Sequence, residues 1–192
     1  MARNQAIVRT ADICDNHRDD ARICELGFFD YAGRRHFHGT VVTFATYEDN
    51  KGLRDVLSQG GEGKVLVVDG RGSRRRALCG GNIGAEAHRH GWEGIVFNGC
   101  IRDSHEFTDL DFGVKAIGTT AMPPRQDGIG REGLTLTFGG ISVHPGDYLY
   151  ADQDCVIVLD EPDHPLAVSV TVTKGTSRRF MRSSRPPKPT CP

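Results

Sequence analysis

Long apolar runs are missing from this chain of 192 residues. The longest, such as Val65-Leu66-Val67-Val68, fall far short of the roughly 18–20 residues a bilayer-spanning helix needs. The amino-terminal MARNQAIVRT has no apolar core of signal-peptide length, so the expected location is the cytoplasm. Paired cysteines are missing too. Cys14, Cys24, Cys79, Cys100, Cys155 and Cys191 stand singly with no Cys-x-x-Cys, which argues against a zinc ribbon or dithiol motif and fits free thiols in a reducing compartment. An excess of charge is also lacking: the formal net charge of -1 gives no electrostatic reason to expect nucleic acid or an anionic membrane as partner.

What is present suits a folded domain. An apolar fraction of 38% over this length can bury a real core, and disordered, collagen-like and disulfide-scaffold classes are excluded. The charge is unevenly placed. Residues 174–192 hold six Lys/Arg and no Asp/Glu, so residues 1–173 carry 18 basic against 25 acidic side chains, a balance of -7. The last seven residues hold four of the nine prolines. The expected organisation is therefore an α/β domain over residues 1–173 and a basic, Pro-rich, disordered tail over 174–192.

Along the chain, Thr10 reads as the N-cap of a short helix reaching His17. TVVTFATYED after Gly39 is dense in β-branched and aromatic residues and reads as a strand. Leu53, Val56 and Leu57 recur at helical spacing before Gly60-Gly61. KVLVVDG and GIVFN are continuous apolar runs of the kind buried on both faces of a parallel sheet, with a helix from about Asn82 to His90 between them. A short helix follows Asp103, and a strand covers Val114 to Ile117. Met122 to Gly133 reads as a Pro/Gly-rich loop, after which TLTFGGISV and YLYADQDCVIVLD read as strands around a turn at His144-Pro145-Gly146-Asp147. The fold class that results is a single α/β domain with a mixed central sheet flanked by helices.

Two glycine-rich strings fail as nucleotide motifs. GGEGK is followed by Val65 where a phosphate loop needs Ser or Thr, and DGRGSRRR lacks the third glycine and the strand-to-helix setting of a dinucleotide fingerprint. Both read as turns. The informative stretch is LCGGNIGAEAHRHGWEGIVFNGCIRDSHE, residues 78–106. Strands of α/β sheets deliver functional groups at their carboxyl ends beside helix amino termini. If strand 94–101 runs parallel to the one before it, Arg102-Asp103 emerges next to Gly80-Gly81-Asn82-Ile83, whose N–H groups and helix dipole suit an anion. Arg102 offers a planar fork for a carboxylate, and Asp103 a hard oxygen ligand for Mg²⁺. The alternative is a surface ion pair at a strand end with glycines that merely turn the chain.

VLVVDG, RRAL, GGNI, GWEGIVFNGCIRD, LDFGVKAIG and FGGISVHPGDYLYAD, taken in order, resemble the family of regulator of ribonuclease activity A and the 4-hydroxy-4-methyl-2-oxoglutarate aldolases. The likeness spans roughly Thr10 to Asp160. It implies a swivelling-domain-like (α/β/α) fold, assembly as a homotrimer or dimer of trimers with sites at subunit boundaries, and class II aldol cleavage of a 2-oxo acid with Mg²⁺ or Mn²⁺. Oxaloacetate decarboxylation is implied as a related activity, with pyruvate as product. Carried onto this chain, the resemblance makes Gly80, Gly81, Asn82 and Ile83 the substrate-binding turn, Arg102 the substrate arginine and Asp103 the metal ligand. The aldolase branch has an aspartate twenty-one positions before the arginine, where this chain has Gly81. Here the later carboxylate, Glu106, completes a Gly…Arg-Asp-x-x-Glu form like that of the regulator branch, either as a base or holder of a metal-bound water or as a solvated helix residue.

Bond breaking in a decarboxylation needs no base, whereas aldol cleavage must take a proton from the C4 hydroxyl. Loss of an aspartate at position 81 is therefore expected to favour oxaloacetate decarboxylation over aldol cleavage. The rival reading is a non-catalytic regulator that binds an RNA-degrading endoribonuclease, a role implied by some relatives. His36 and His38, the pair His88 and His90, Cys100 and Trp92 all read as packing or surface residues.

Overall fold

The computed structural model describes residues 7–163, so the basic tail and Cys191 lie outside the described residues. In chain order the first elements are α1 (Thr10–Asn16), β1 (Arg22–Ile23), β2 (Phe29–Asp30), β3 (Phe37–Thr46), α2 (Lys51–Ser58) and β4 (Lys64–Asp69). β5 (Ala77–Cys79), α3 (Gly81–Arg89), β6 (Gly94–Ile101), a 3-10 turn (Ser104–Phe107) and β7 (Gly113–Thr119) follow. The remainder is β8 (Gly130–Glu132), β9 (Leu136–Phe138), β10 (Ile141–Val143), β11 (Tyr148–Ala151) and β12 (Val156–Leu159). Ten strands form one mixed sheet in the order β1-β12-β11-β3-β4-β6-β7-β2, with β5 added to β6 and β8 to β3, while β9 and β10 pair separately. No helix among the described residues is long and apolar enough to cross a membrane.

The centre is parallel: β3, β4, β6 and β7 run side by side, with Val67 level with Thr43 and Val96. Every residue of β6 is buried, which explains why its sequence is apolar without alternation. Leu66, Val68, Ile95 and Phe97 meet Leu53 and Leu57 of α2 and Ile83 and Ala87 of α3 on one face. Val65, Val67 and Val96 meet Phe37, Leu136, Ile141 and Val143 on the other. The ring of Phe37 lies across Gly94 and Gly113, where any Cβ would overlap it. α1 packs through Ile13 on Tyr150, Ile157 and Leu159, which by strand alternation face the side that carries α2 and α3. The second face, expected to carry helices, is covered among the described residues by the β9–β10 hairpin.

Several local readings change. Thr10 is the first helical residue rather than the N-cap, which is Arg9. The Thr10 N–H and hydroxyl both donate to the buried carboxylate of Asp152, each at 2.8 Å, so a tertiary contact replaces the local cap. TLTFGGISV is a hairpin that reverses at Gly139 and Gly140, both at positive φ. YLYADQDCVIVLD is likewise two antiparallel strands. The loop from Met122 to Gly133 contains β8, held against β3 by pairing that no local signal announces. Gly91 does follow α3 at φ +78°, and Gly60 and Gly63 turn the chain into β4. Trp92 is a core anchor whose indole N–H donates to the Leu57 carbonyl at 2.9 Å.

Candidate active site

β5 exists because the chain, having left the sheet after β4, returns beside the far half of β6: Ala77 is level with Cys100 and Cys79 with Ile101. The Arg102 N–H donates to the Cys79 carbonyl at 2.8 Å. Both strands thus release their chains at the same edge, and the two segments singled out in the sequence meet there. Gly80, in extended backbone, is the N-cap of α3. A Cβ built on it would lie 3.0 Å from Asp103 Oδ2 and 3.3 Å from Arg102 Cγ, so this glycine is what lets Arg102-Asp103 approach.

Asp103 sits at φ +53°, ψ +40°, in the left-handed region that non-glycine residues seldom occupy. Strain of that kind concentrates at functional positions. It turns the chain out of β6 into the 3-10 turn, whose Phe107 is fully buried and packed on Gly84. That anchor holds Glu106 over the start of α3. A Cβ at Gly81 would overlap the Glu106 carboxylate and lie 2.5 Å from Glu106 Cβ. The side chain missing at position 81 is therefore replaced in space by one arriving from position 106. The separation in sequence hid this. The only signal was that a glycine and a carboxylate both depart from the aldolase pattern.

Arg102 Nε donates to Asp103 Oδ2 at 3.0 Å, with the two side chains 35% and 39% exposed. An exposed pair of this sort contributes little to stability, so its charges are available to a ligand. At the helix start the first-turn N–H groups of Gly81 and Asn82 have no intrahelical acceptor, whereas the Ile83 N–H is spent on the Gly80 carbonyl at 3.0 Å. Ile83 is buried in the core, so of the four turn residues it contributes packing and not an anion donor.

Among the described residues no group of three or more His, Cys, Asp or Glu could enclose a metal ion. Mg²⁺ does not require one, because it keeps several waters and takes one or two carboxylates plus substrate oxygens. Asp103, a half-exposed carboxylate at a strand end, suits such a site as one hard oxygen ligand. His38 and Cys100 are engaged within the fold, while His88 is exposed. His38 Nδ1 and the Tyr148 hydroxyl share a hydrogen bond at 2.8 Å. Cys100 is fully buried, and burial pushes its thiol pKa up.

Comparison with known proteins identifies the family. A family model described as RraA-like, Aldolase/RraA, matches residues 10–158. The chain is 46% identical over 151 residues to "Putative 4-hydroxy-4-methyl-2-oxoglutarate aldolase" of Alkalilimnicola ehrlichii, covering 79% of this chain and 94% of the relative. Its fold superimposes with a TM-score of 0.80 on the RNA-processing inhibitor RraA from Thermus thermophilis, at 36% identity, covering 84% of this chain and 98% of the other. A TM-score of 0.79 and 42% identity relate it to a Geobacillus kaustophilus structure described as an S-adenosylmethionine: 2-dimethylmenaquinone methyltransferase, covering 81% of this chain and 96% of that one. With the family model matched over most of its length and such identities over nearly the whole of its relatives, the chain belongs to the RraA-like, Aldolase/RraA, family.

Proposed function

We propose that this protein is a divalent-metal-dependent carbon–carbon lyase acting on small 2-oxo acids, with oxaloacetate decarboxylation exceeding aldol cleavage of 4-hydroxy-4-methyl-2-oxoglutarate. The observation that carries the reading is the convergence of Arg102, Asp103 and Glu106 on the Gly80-Gly81 turn at the start of α3. Asp103 would hold Mg²⁺ or Mn²⁺, which when bound supplies Lewis-acid polarisation of the keto group. Arg102 binds and orients the substrate carboxylate through its planar fork. The N–H groups of Gly81 and Asn82 and the amino-terminal dipole of α3 stabilise negative charge that grows as the bond to C3 breaks. Glu106 accepts the C4 hydroxyl proton when the substrate is an aldol. It stands where a shorter acid at position 81 would stand, but on a longer and more exposed side chain, and so positions the proton acceptor less tightly. That difference supports the ranking of the two activities.

The test is pyruvate formation from oxaloacetate with Mg²⁺, with Mn²⁺ and with EDTA, for wild type and Asp103→Ala. Because free metal ions decarboxylate oxaloacetate slowly, the variant is the necessary baseline. Metal-dependent turnover lost in Asp103→Ala is the expected result; equal rates in both proteins refute the reading. A second reading, regulation of an endoribonuclease by binding, draws on the superposition with an RNA-processing inhibitor. A regulator of that kind would keep its binding in Asp103→Ala and show no turnover in either protein.

A further inference from the structure

The string DGRGSRRR, rejected above as a nucleotide motif, forms part of a second face at the carboxyl ends of the parallel strands, built from residues other than those of the candidate active site. The loop between β4 and β5 brings Arg71, Arg75 and Arg76 up to the segment that carries Arg125 and Arg131. Two adjoining hollows result. One, of about 250 Å³, has Arg75, Arg76, Arg125 and Met122 in its walls. The other, of about 230 Å³, has Arg71, Arg131, Ile129 and Leu134. Tyr47 joins them, with the Arg71 guanidinium 5.8 Å from its ring centroid and its hydroxyl accepting from Arg75 at 2.9 Å.

The cationic groups are preset by the fold. Glu48, buried and at φ +56°, accepts from Arg75 Nε at 2.7 Å and from the Ser73 hydroxyl at 2.8 Å. Arg76 donates to the Pro123 carbonyl at 2.8 Å. Arg125 and Arg131 make no side-chain hydrogen bond or ion pair among the described residues. Among the described residues the first hollow contains one carboxylate, Glu48, which pairs with Arg75 and, at 3.9 Å, with Arg76 and also attracts Arg125, and the second contains none. Glu132, the acid next to Arg131, accepts instead from Gln59 of α2 at 3.2 Å. Between the arginines stand apolar groups left open to water: Met122 is 51%, Ile129 49% and Leu134 39% exposed. Guanidinium groups with no internal hydrogen-bond partner, such as those of Arg125 and Arg131, keep their donors for a carboxylate, and exposed apolar groups among charges mark interaction surfaces.

We propose that this face docks an acidic segment of a partner protein, carboxylates meeting Arg125 and Arg131 and apolar side chains entering the two hollows. Nucleic acid fits it less well. Base stacking is strongest on free aromatic faces, whereas Arg71 covers one face of Tyr47, the only aromatic side chain among the described residues of either hollow. The inference does not rest on the catalytic reading, because none of these arginines belongs to that site.

The experiment uses the full chain and fluorescence anisotropy of a short labelled peptide of repeated Glu-Glu-Leu, a counterpart with Gln for Glu, and labelled oligo-dT. Saturable binding of the Glu peptide is expected, weakened about tenfold by Arg125→Glu and by Arg131→Glu and unchanged by Arg18→Glu, a reversal on exposed α1-side surface. Thermal unfolding of each variant verifies that it is folded. No saturable binding overturns the proposal, as does equal binding of the Gln peptide, equal loss in Arg18→Glu, or tighter binding of oligo-dT.

Discussion

Restoring an aspartate at position 81 without touching position 106 should fail to restore what the aspartate does in the aldolase branch. Gly81 is buried at the start of α3, and a Cβ there overlaps the Glu106 carboxylate and lies 2.7 Å from Glu106 Cδ. In Gly81→Asp, Glu106 must leave its rotamer, at about 0.5–1.5 kcal/mol. Two carboxylates some 4 Å apart in water add about 1 kcal/mol of repulsion. Against this, an acid in the first helical turn gains about 0.3–1 kcal/mol, and replacing glycine within a helix gains about 0.5 kcal/mol. The net is a loss of about 1 kcal/mol, which for a domain of this size lowers Tm by about 2–4 °C. Glu106→Ala should itself be close to neutral in stability, because the side chain is exposed. Combined with Gly81→Asp it should abolish the penalty and raise aldol cleavage relative to oxaloacetate decarboxylation. The assays are thermal unfolding of the four proteins in the cycle and pyruvate release from the two substrates. A Gly81→Asp single variant as stable as wild type, with aldol cleavage raised as far as in the double variant, would refute the claim that Glu106 occupies that space. The stability half of the cycle stands even if no protein in it shows turnover.

The strained backbone at Asp103 predicts opposite effects on activity and stability: Asp103→Gly should lose pyruvate formation yet be more stable than Asp103→Ala, by about 1 kcal/mol, since glycine escapes the Cβ penalty that alanine carries in the left-handed region; equal melting temperatures would show that φ +53° carries no cost. Phe37→Ala uncovers Gly94 and Gly113 beneath its ring and should cost about 3–5 kcal/mol in denaturant unfolding, whereas a cost below about 1 kcal/mol would mean that the two strands close over the gap. Burial pushes the Asp152 carboxyl up, but the N–H and hydroxyl of Thr10 and the N–H groups of Asp154 and Cys155 together outweigh it and hold the pKa below its ordinary value. The stabilisation is therefore present above the ordinary carboxylate range and lost as pH falls through the depressed value. Asp152→Asn should melt below wild type at pH 7, with the gap closing below about pH 4; a gap that persists there would point to packing rather than charge.

Much of the architecture is legible in the sequence because its cause is local. The alternation of buried strand and amphipathic helix from Lys51 to Ile101 follows from unbroken apolar runs and helical spacing, and Gly60, Gly63 and Gly91 turn the chain between elements by positive φ. The strand β8 and the capping of α1 were hidden, since Gly130–Glu132 has no apolar pattern and Thr10 finds its acceptor 142 residues away. The hairpin breaks inside FGGI and YADQDC were visible only in retrospect, as positive-φ glycines and an aspartate that collects the turn's N–H groups.

The site divides the same way. Sequence alone determined which residue types stand at positions 80–83 and 102–106, and that both segments leave apolar strands, because strand burial is written in side-chain hydropathy. It also fixed the absence of an acid at position 81. Only the tertiary structure decided that β5 rejoins β6 in parallel register, bringing Gly80 against Asp103, and that burial of Phe107 swings Glu106 over Gly81. It alone gathered the arginines of two distant loops around one buried glutamate. Those outcomes depend on pairing and packing between segments some twenty to sixty residues apart, which no short window of sequence contains.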